Sequence, residues 1–282
     1  MVRASVPIWG PNLHLRERTI TMHLGNGISA VVTGGASGLG AGTARALASR
    51  GVRVGVLDLN EQLGSALAAE IGGTFAKGDV TSEASVMEAL GGLRKANGQE
   101  RILVNCAGIA MAKRSVRRDR GTGGIEPHDV ASFRKVIEVN LIGTFIMMTR
   151  CGAGMMSLDP IGPDKERGVI ISTASVAAED GQIGQVAYAA SKGGVASMTL
   201  PVARDLSKDG IRVMAILPGL FLTPMFDTLP EEVRNSLAAS VPFPSRLGLP
   251  AEYAQLAVHI CENVMLNGGT IRLDGAVRLA PR

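Results

Sequence analysis

The chain has 282 residues, 46% apolar and 19% charged, with a net charge of +4. That composition suits one sizeable hydrophobic core and excludes wholesale disorder. The small positive excess says little about partners, and an aromatic content of 3% argues against nucleic-acid binding by base stacking.

Residues 1–24 stand apart, with Trp9, Pro7, Pro11, three arginines and no periodicity. They fit an upstream start or a dispensable arm, with Met22 as a natural start. A basic, acid-poor leader also suggests organelle targeting, but Glu17 and the two prolines count against that. From residue 25 to residue 282 one domain is expected. Short runs rich in Val and Ile predict buried parallel strands at 28–33, 52–57, 74–77, 102–105, 169–172, 213–217 and 270–273. Helices are predicted between them at 39–49, 61–71, 82–96, 129–156, 187–207 and 251–263. Pro201 is expected to kink or end the fifth of these. The alternation predicts a single-domain α/β fold: a Rossmann-type, doubly wound parallel sheet of about seven strands with helices on both faces. Two segments, 113–124 (KRSVRRDRGTGG) and 158–167 (LDPIGPDKER), read as loops.

The first strand runs into Thr33-Gly34-Gly35-Ala36-Ser37-Gly38-Leu39-Gly40 and then opens a helix. Glycines let the backbone approach phosphates closely, and a helix N-terminus offers N–H groups and partial positive charge. Gly34, Ser37, Gly38, Leu39 and Gly40 are therefore candidates to hold a dinucleotide pyrophosphate. Asp58 ends the second strand, eighteen residues after Gly40, where the adenosine ribose would lie. A carboxylate there accepts from the ribose hydroxyls and repels a 2′-phosphate, which favours NAD over NADP. Neither the turn nor Leu59 supplies a cation. Asp79 and Val80 end the third strand, where the carboxylate meets the adenine or caps the next helix; both readings stay open. Asn105-Cys106-Ala107-Gly108 closes the fourth strand, with Asn105, Ala107 and Gly108 at the ligand edge. Pro218 and Gly219 end the sixth strand and lead to Thr223, near a nicotinamide carboxamide.

Tyr188 and Lys192 lie four residues apart on one predicted helix face. A phenol with a pKa near 10 is a poor base at neutral pH, and a neighbouring ammonium favours the phenolate. The pair suits general acid/base work on an alcohol or carbonyl. Ser175, thirteen residues before Tyr188, offers a hydroxyl to a substrate oxygen. Asn140, in the long fourth helix, offers a buried amide to a relay water.

With TGGASGLG, Asp58, NCAG, Asn140, Ser175, YAASK and PG in this order, the chain resembles the short-chain dehydrogenase/reductase family from about Gly25 onward. The resemblance implies that Tyr188 is the acid/base, Ser175 orients and polarises the substrate, and Lys192 lowers the Tyr188 pKa and binds the nicotinamide ribose. It implies that Asn140 holds the proton-relay water. Where the family commonly has NNAG, Cys106 replaces the second Asn, which touches the strand end and not the chemistry. The segments GVIISTASVAAEDGQIGQVAYAASKGGVASMTLPVARDL, ILPGLFLTPMF and GGTIRLDGAVRL are similar to one group of that family, the type 2 3-hydroxyacyl-CoA dehydrogenases, also called type 10 17β-hydroxysteroid dehydrogenases. That likeness implies NAD-linked oxidation of short or branched 3-hydroxyacyl-CoA thioesters in fatty acid metabolism, tolerance of steroid alcohols, and a homotetramer.

The alternatives are a hydroxysteroid dehydrogenase and a non-catalytic NAD-binding scaffold, which would need none of Asn140, Ser175, Tyr188 and Lys192. The basic segment, with Lys113, Arg114, Arg117, Arg118 and Arg120 against Asp119, reads either as a solvated loop or as a site for CoA phosphates. Beyond Thr223, Met225, Phe226, Leu229, Leu237 and Phe243 suggest an apolar lid with a short helix near 231–240. Cys106, Cys151 and Cys261 form no CxxC, so a reduced, cytoplasmic setting is expected. The four histidines show no ligand spacing, so no metal is expected. The longest uncharged stretch, 19–44, holds seven glycines, and no membrane partner is expected.

Overall fold

The computed structural model describes residues 22–224 and 230–281. Seven apolar runs form one sheet: β1 (Ser29–Thr33), β2 (Arg53–Asp58), β3 (Thr74–Lys77), β4 (Ile102–Asn105), β7 (Gly168–Thr173), β8 (Ile211–Pro218) and β9 (Thr270–Leu273). Their order is β3-β2-β1-β4-β7-β8-β9, with every pair parallel. β1, β4 and β8 are buried along their whole length. Helices cover both faces, which is why these strands read as unbroken apolar runs rather than as alternation.

The helices are α1 (Gly38–Ser49), α2 (Glu61–Ile71), α3 (Glu83–Asn97), α4 (Val130–Ile137), α5 (Gly143–Met156), α6 (Val186–Asp205), α7 (Glu231–Ala239) and α8 (Pro250–Glu262). On one face of the sheet Ala30 and Val32 of β1 pack with Leu47 of α1 and with Tyr253 and Ile260 of α8. Met22 and Leu24, from the segment that stands apart in the sequence, join this cluster. On the other face Val31, Leu103 and Ile170 pack with Leu90 and Leu93 of α3 and Met147 and Met155 of α5. Burying each such side chain is worth about 1.5–3 kcal/mol. The chain winds from β1 out to β3, then returns to β4 on the other side of β1. The strand order therefore reverses between β1 and β4, and a ligand crevice opens there, beyond the carboxyl ends of the strands.

Three expectations need correction. The long helix foreseen over 129–156 is α4 and α5 joined by a π-helical turn, Glu138–Ile142. The rod Val130–Met156 is long and apolar enough to meet the length and hydropathy of a membrane span, yet its Met147, Met148, Cys151 and Met155 are buried against the sheet. Of the two outcomes expected for Pro201, an end to the helix is the one overturned: α6 runs on to Asp205. Pro201 and Ser197, whose carbonyl loses its i+4 donor, are both exposed, so the carbonyl is left on the solvent side rather than in the core. The basic segment is not a bare loop. It folds with the residues after it into an antiparallel hairpin, β5 (Val116–Arg118) and β6 (Ile125–Pro127). Asp119 builds the connection by accepting from Gly121 N, Thr122 N and Thr122 Oγ1.

Candidate active site

The two small-residue turns at the switch point lie almost in contact. A Cβ on Gly34, whose φ is +60°, would stand 2.6 Å from Ala107 N. Thr33 Oγ1 accepts from Cys106 N at 3.2 Å and Ala107 N at 3.3 Å, clamping the turns together. Gly38 also has positive φ, and a Cβ there would meet Thr223 at 3.4 Å, so the loop after β8 closes onto the glycine turn. Ser37 stands at the N-cap of α1 without a side-chain cap bond, leaving the first-turn N–H groups of α1 for another acceptor.

Asp58 is tied to this turn: Oδ2 accepts from Ala36 N at 3.0 Å and Oδ1 from Asn60 N at 2.9 Å. It caps no helix, because Asn60 performs that task for α2. Likewise Ser82 caps α3, while Asp79 Oδ1 accepts from Thr81 N and Thr81 Oγ1. Of the two readings left open for Asp79, the cap is the one the geometry rejects.

A crevice of 770 Å³ runs along this edge. It is lined by Gly34, Ser37, Gly38, Leu39, Gly40, Asp58, Asp79, Val80, Ala107, Gly108, Ser175, Tyr188, Lys192, Pro218, Gly219 and Thr223. Two residues foreseen for the site do not line it. Asn105 is buried one layer below, within the sheet, where Nδ2 donates to Ser172 Oγ at 3.2 Å and Oδ1 has no partner. Asn140 sits in the π-turn. Its Oδ1 accepts from Ile109 N at 2.8 Å, and Nδ2 donates to Ile109 O and Ser191 Oγ. Three of its four side-chain hydrogen-bonding positions are used, so it acts first as a brace between the β4 exit and α6.

Ser175 follows β7 and caps a one-turn 3₁₀ helix, Val176–Ala178, through Ala177 N at 3.1 Å. Tyr188 and Lys192 project from one face of α6. Lys192 Nζ donates to the Thr173 carbonyl at 2.6 Å and stands 5.9 Å from the Tyr188 ring centroid. Burial lowers the Lys192 pKa to about 8. Burial also raises that of Tyr188, against which a hydrogen bond from Ser175 pulls. Without a cofactor in the crevice, desolvation is the larger influence on Tyr188, and the phenol keeps its proton at neutral pH.

The sequence reading missed Thr173. Its carbonyl anchors Lys192, and its Oγ1 donates to Asn105 O at 2.6 Å and bonds Tyr253 Oη at 2.7 Å. A backbone acceptor leaves no mark in residue type, and Tyr253 comes from a distant helix. Lys135 and Glu138 at the crevice mouth were also missed, as an ordinary charged helix face. Met225, Phe226 and Leu229 of the expected lid lie outside the described residues. The short helix is present as α7, and Phe243 is 83% exposed, so it does not pack on the body. Among the described residues no three His, Cys, Asp or Glu side chains gather as a metal site.

A doubly wound sheet with a glycine cradle, a strand-end Asp and a Ser-Tyr-Lys set on one crevice defines a nucleotide-dependent oxidoreductase. The family model for short chain dehydrogenase matches residues 29–234, and the chain belongs to that family. It is 52% identical to 3-hydroxyacyl-CoA dehydrogenase type-2 of Bos taurus over 257 residues, 90% of this chain and 97% of that protein. The protein of the same name in Homo sapiens is 51% identical over the same shares. The crystal structure of 3-hydroxyacyl-CoA dehydrogenase type-2 from Mycobacterium avium superposes with a TM-score of 0.85 at 42% identity, covering 91% of this chain and 98% of that one.

Proposed function

We propose that the chain is an NAD-dependent dehydrogenase that interconverts a secondary alcohol and a ketone, acting on short or branched 3-hydroxyacyl-CoA. The observation that carries this reading is the single crevice, in which the glycine turn and Asp58 share one cavity with Ser175, Tyr188 and Lys192. The residues fit a nicotinamide dinucleotide. Gly34 and Gly38 leave their backbone open where a side chain would collide or be strained, and the α1 N-terminus adds N–H donors for phosphate. Asp58 favours an unphosphorylated ribose. When bound, the nicotinamide supplies the hydride acceptor for the alcohol and the donor for the ketone.

Tyr188 handles the proton at the substrate oxygen. Its raised pKa keeps it a neutral donor near pH 7, suited to giving a proton to the oxygen formed from a ketone. Alcohol oxidation needs the phenolate, so it gains as pH rises. The Ser175 hydroxyl, held by the 3₁₀ turn, orients the same oxygen. Lys192 is charged below about pH 8 and favours the phenolate electrostatically.

The acyl-CoA assignment draws on the relatives' names and on the hairpin. Lys113 pairs with Asp129, Arg117 pairs with Glu126, and Arg118 donates to Gly123 O, so most of the basic charge is satisfied locally. Arg114 instead lines a second cavity, of 390 Å³, between the hairpin and residues 181–186, and it is our candidate for a CoA phosphate. We also read the chain as a homotetramer of a reduced, cytoplasmic setting. Exposed Phe145 and Leu200 on α5 and α6 offer apolar surface for subunit packing, and the three cysteines are free. Light scattering of the purified chain tests the assembly.

The decisive variant is Tyr188→Phe. Turnover of acetoacetyl-CoA should fall by about a thousandfold while the NADH dissociation constant stays within about threefold. Undiminished turnover would remove Tyr188 from the chemistry.

A further inference from the structure

We propose that Arg272, at the end of β9 and outside the crevice, is a positioning residue for the substrate wall between Ser175 and Tyr188. The proposal rests on the dehydrogenase reading above. Arg272 meets three carboxylates. It pairs with Glu179, donates through Nη2 to Asp180 Oδ2 at 2.7 Å, and donates through Nε to Asp274 Oδ2 at 2.8 Å. A further bond reaches Val277 O at 3.1 Å. The hub is mostly buried on the Arg272, Asp180 and Asp274 sides, so water screens its charges poorly.

Each partner belongs to a different part of the site. Asp180 terminates the turn that Ser175 caps: its N–H donates to Val176 O at 2.8 Å, directly after the serine. Asp274 abuts the other side, because a Cβ on Gly219 would lie 2.8 Å from Asp274 Cβ, and Gly219 N donates to Leu273 O. Arg272 therefore joins the wall that carries Ser175 to the turn at the end of β8. The chain end reinforces the same wall: Ile183 N donates to Pro281 O at 3.0 Å, and Gln182 Nε2 to Ala280 O at 2.8 Å.

Without the guanidinium, Asp180 and Asp274 lose their shared cation, and among the described residues Asp274 keeps the exposed Arg278 at 3.1 Å and the Ala276 N–H. Repulsion would then push the 179–184 segment away from β9 and carry the Ser175 turn with it. The glycine turn and Asp58, which would hold the adenosine end of the cofactor on the far side of the sheet order, make none of these contacts; on the cofactor side the hub meets the Gly219 turn. The division is therefore one of degree: substrate KM depends on Arg272 far more than NADH binding does.

The test compares Arg272→Met, Arg272→Lys and Asp180→Asn with the parent chain, using acetoacetyl-CoA for kinetics and NADH titration for cofactor affinity. The expected result is a rise in KM of about tenfold for Arg272→Met, partly restored in Arg272→Lys, with the NADH dissociation constant within about twofold. Asp180→Asn keeps the guanidinium and the shape, removes one anion, and should raise KM by about threefold, which keeps the test alive if Arg272→Met does not fold. A KM unchanged in both Arg272→Met and Asp180→Asn overturns the proposal, even if the melting temperature falls. So does a KM that rises only together with a loss of NADH affinity. A parent chain inactive on every ketone counts against the dehydrogenase reading instead.

Discussion

Lys192 shows how a side chain serves chemistry at the expense of stability. It is 4% exposed, carries one hydrogen bond to a carbonyl, and has its pKa lowered to about 8 from 10.5. Below about pH 8 the folded and unfolded chains both hold the proton, and the full desolvation penalty is present. Between there and 10.5 the unfolded chain holds a proton that the folded chain has released, so stability rises with pH through that window. Lys192→Met should therefore abolish turnover and yet raise stability by about 2 kcal/mol near pH 7. Urea unfolding should show that gain shrinking by about pH 10; a variant less stable at neutral pH would contradict this. At this scale the sequence was legible where chemistry demands a residue type. Tyr188, Lys192, Ser175 and Asp58 announce themselves by spacing and by position at strand ends. Thr173 did not, because its carbonyl matters as much as its hydroxyl. The role foreseen for Asn140 was incomplete, because a motif does not show how many hydrogen bonds an amide has already made.

The turn from β1 to α1 exists because certain positions admit no side chain. A Cβ on Gly40 would overlap the Gly34 carbonyl, and one on Gly34 would strike the Ala107 backbone. Gly40→Ala should destabilise the chain by about 1–3 kcal/mol and weaken NADH binding, both readable from thermal melts with and without cofactor. Unchanged melts would mean the turn relaxes freely. Strands and helices with clear apolar periods were legible to within a residue or two. The elements that escaped share a cause: their geometry does not depend on apolar patterning. The β5–β6 hairpin is exposed throughout and is held by an Arg117–Glu126 pair and an Asp119-centred turn. The π-turn at Glu138–Ile142 inserts into a helix without disturbing its composition.

Across the whole molecule, the sheet is locked to α8 on one face by a charge that the strand prediction trimmed away. β8 is expected over 213–217 from its apolar run, which stops short of Arg212. In the structure β8 begins at Ile211, and Arg212 is buried beneath the end of α8. It pairs with Glu166 at 2.7 Å, each side chain 7% exposed, and donates to Ile260 O and Cys261 O in the last turn of α8. Cations at a helix C-terminus are favourable, and breaking a buried pair by deleting one partner is costly. Arg212→Met should lower unfolding stability by about 3 kcal/mol, measured by urea titration; a midpoint unchanged would show that the network is dispensable. The fold class was legible at this scale because a sheet buried on both faces writes itself as apolar runs. The substrate was legible only through resemblance, since no single side chain in the crevice specifies a CoA thioester. The most direct measurement is NADH consumption with acetoacetyl-CoA, run beside NADPH and beside a steroid ketone. The account predicts turnover of the CoA ester with NADH at least about tenfold above that with NADPH. Turnover of the steroid alone, a preference for NADPH, or no turnover despite NADH binding would contradict it.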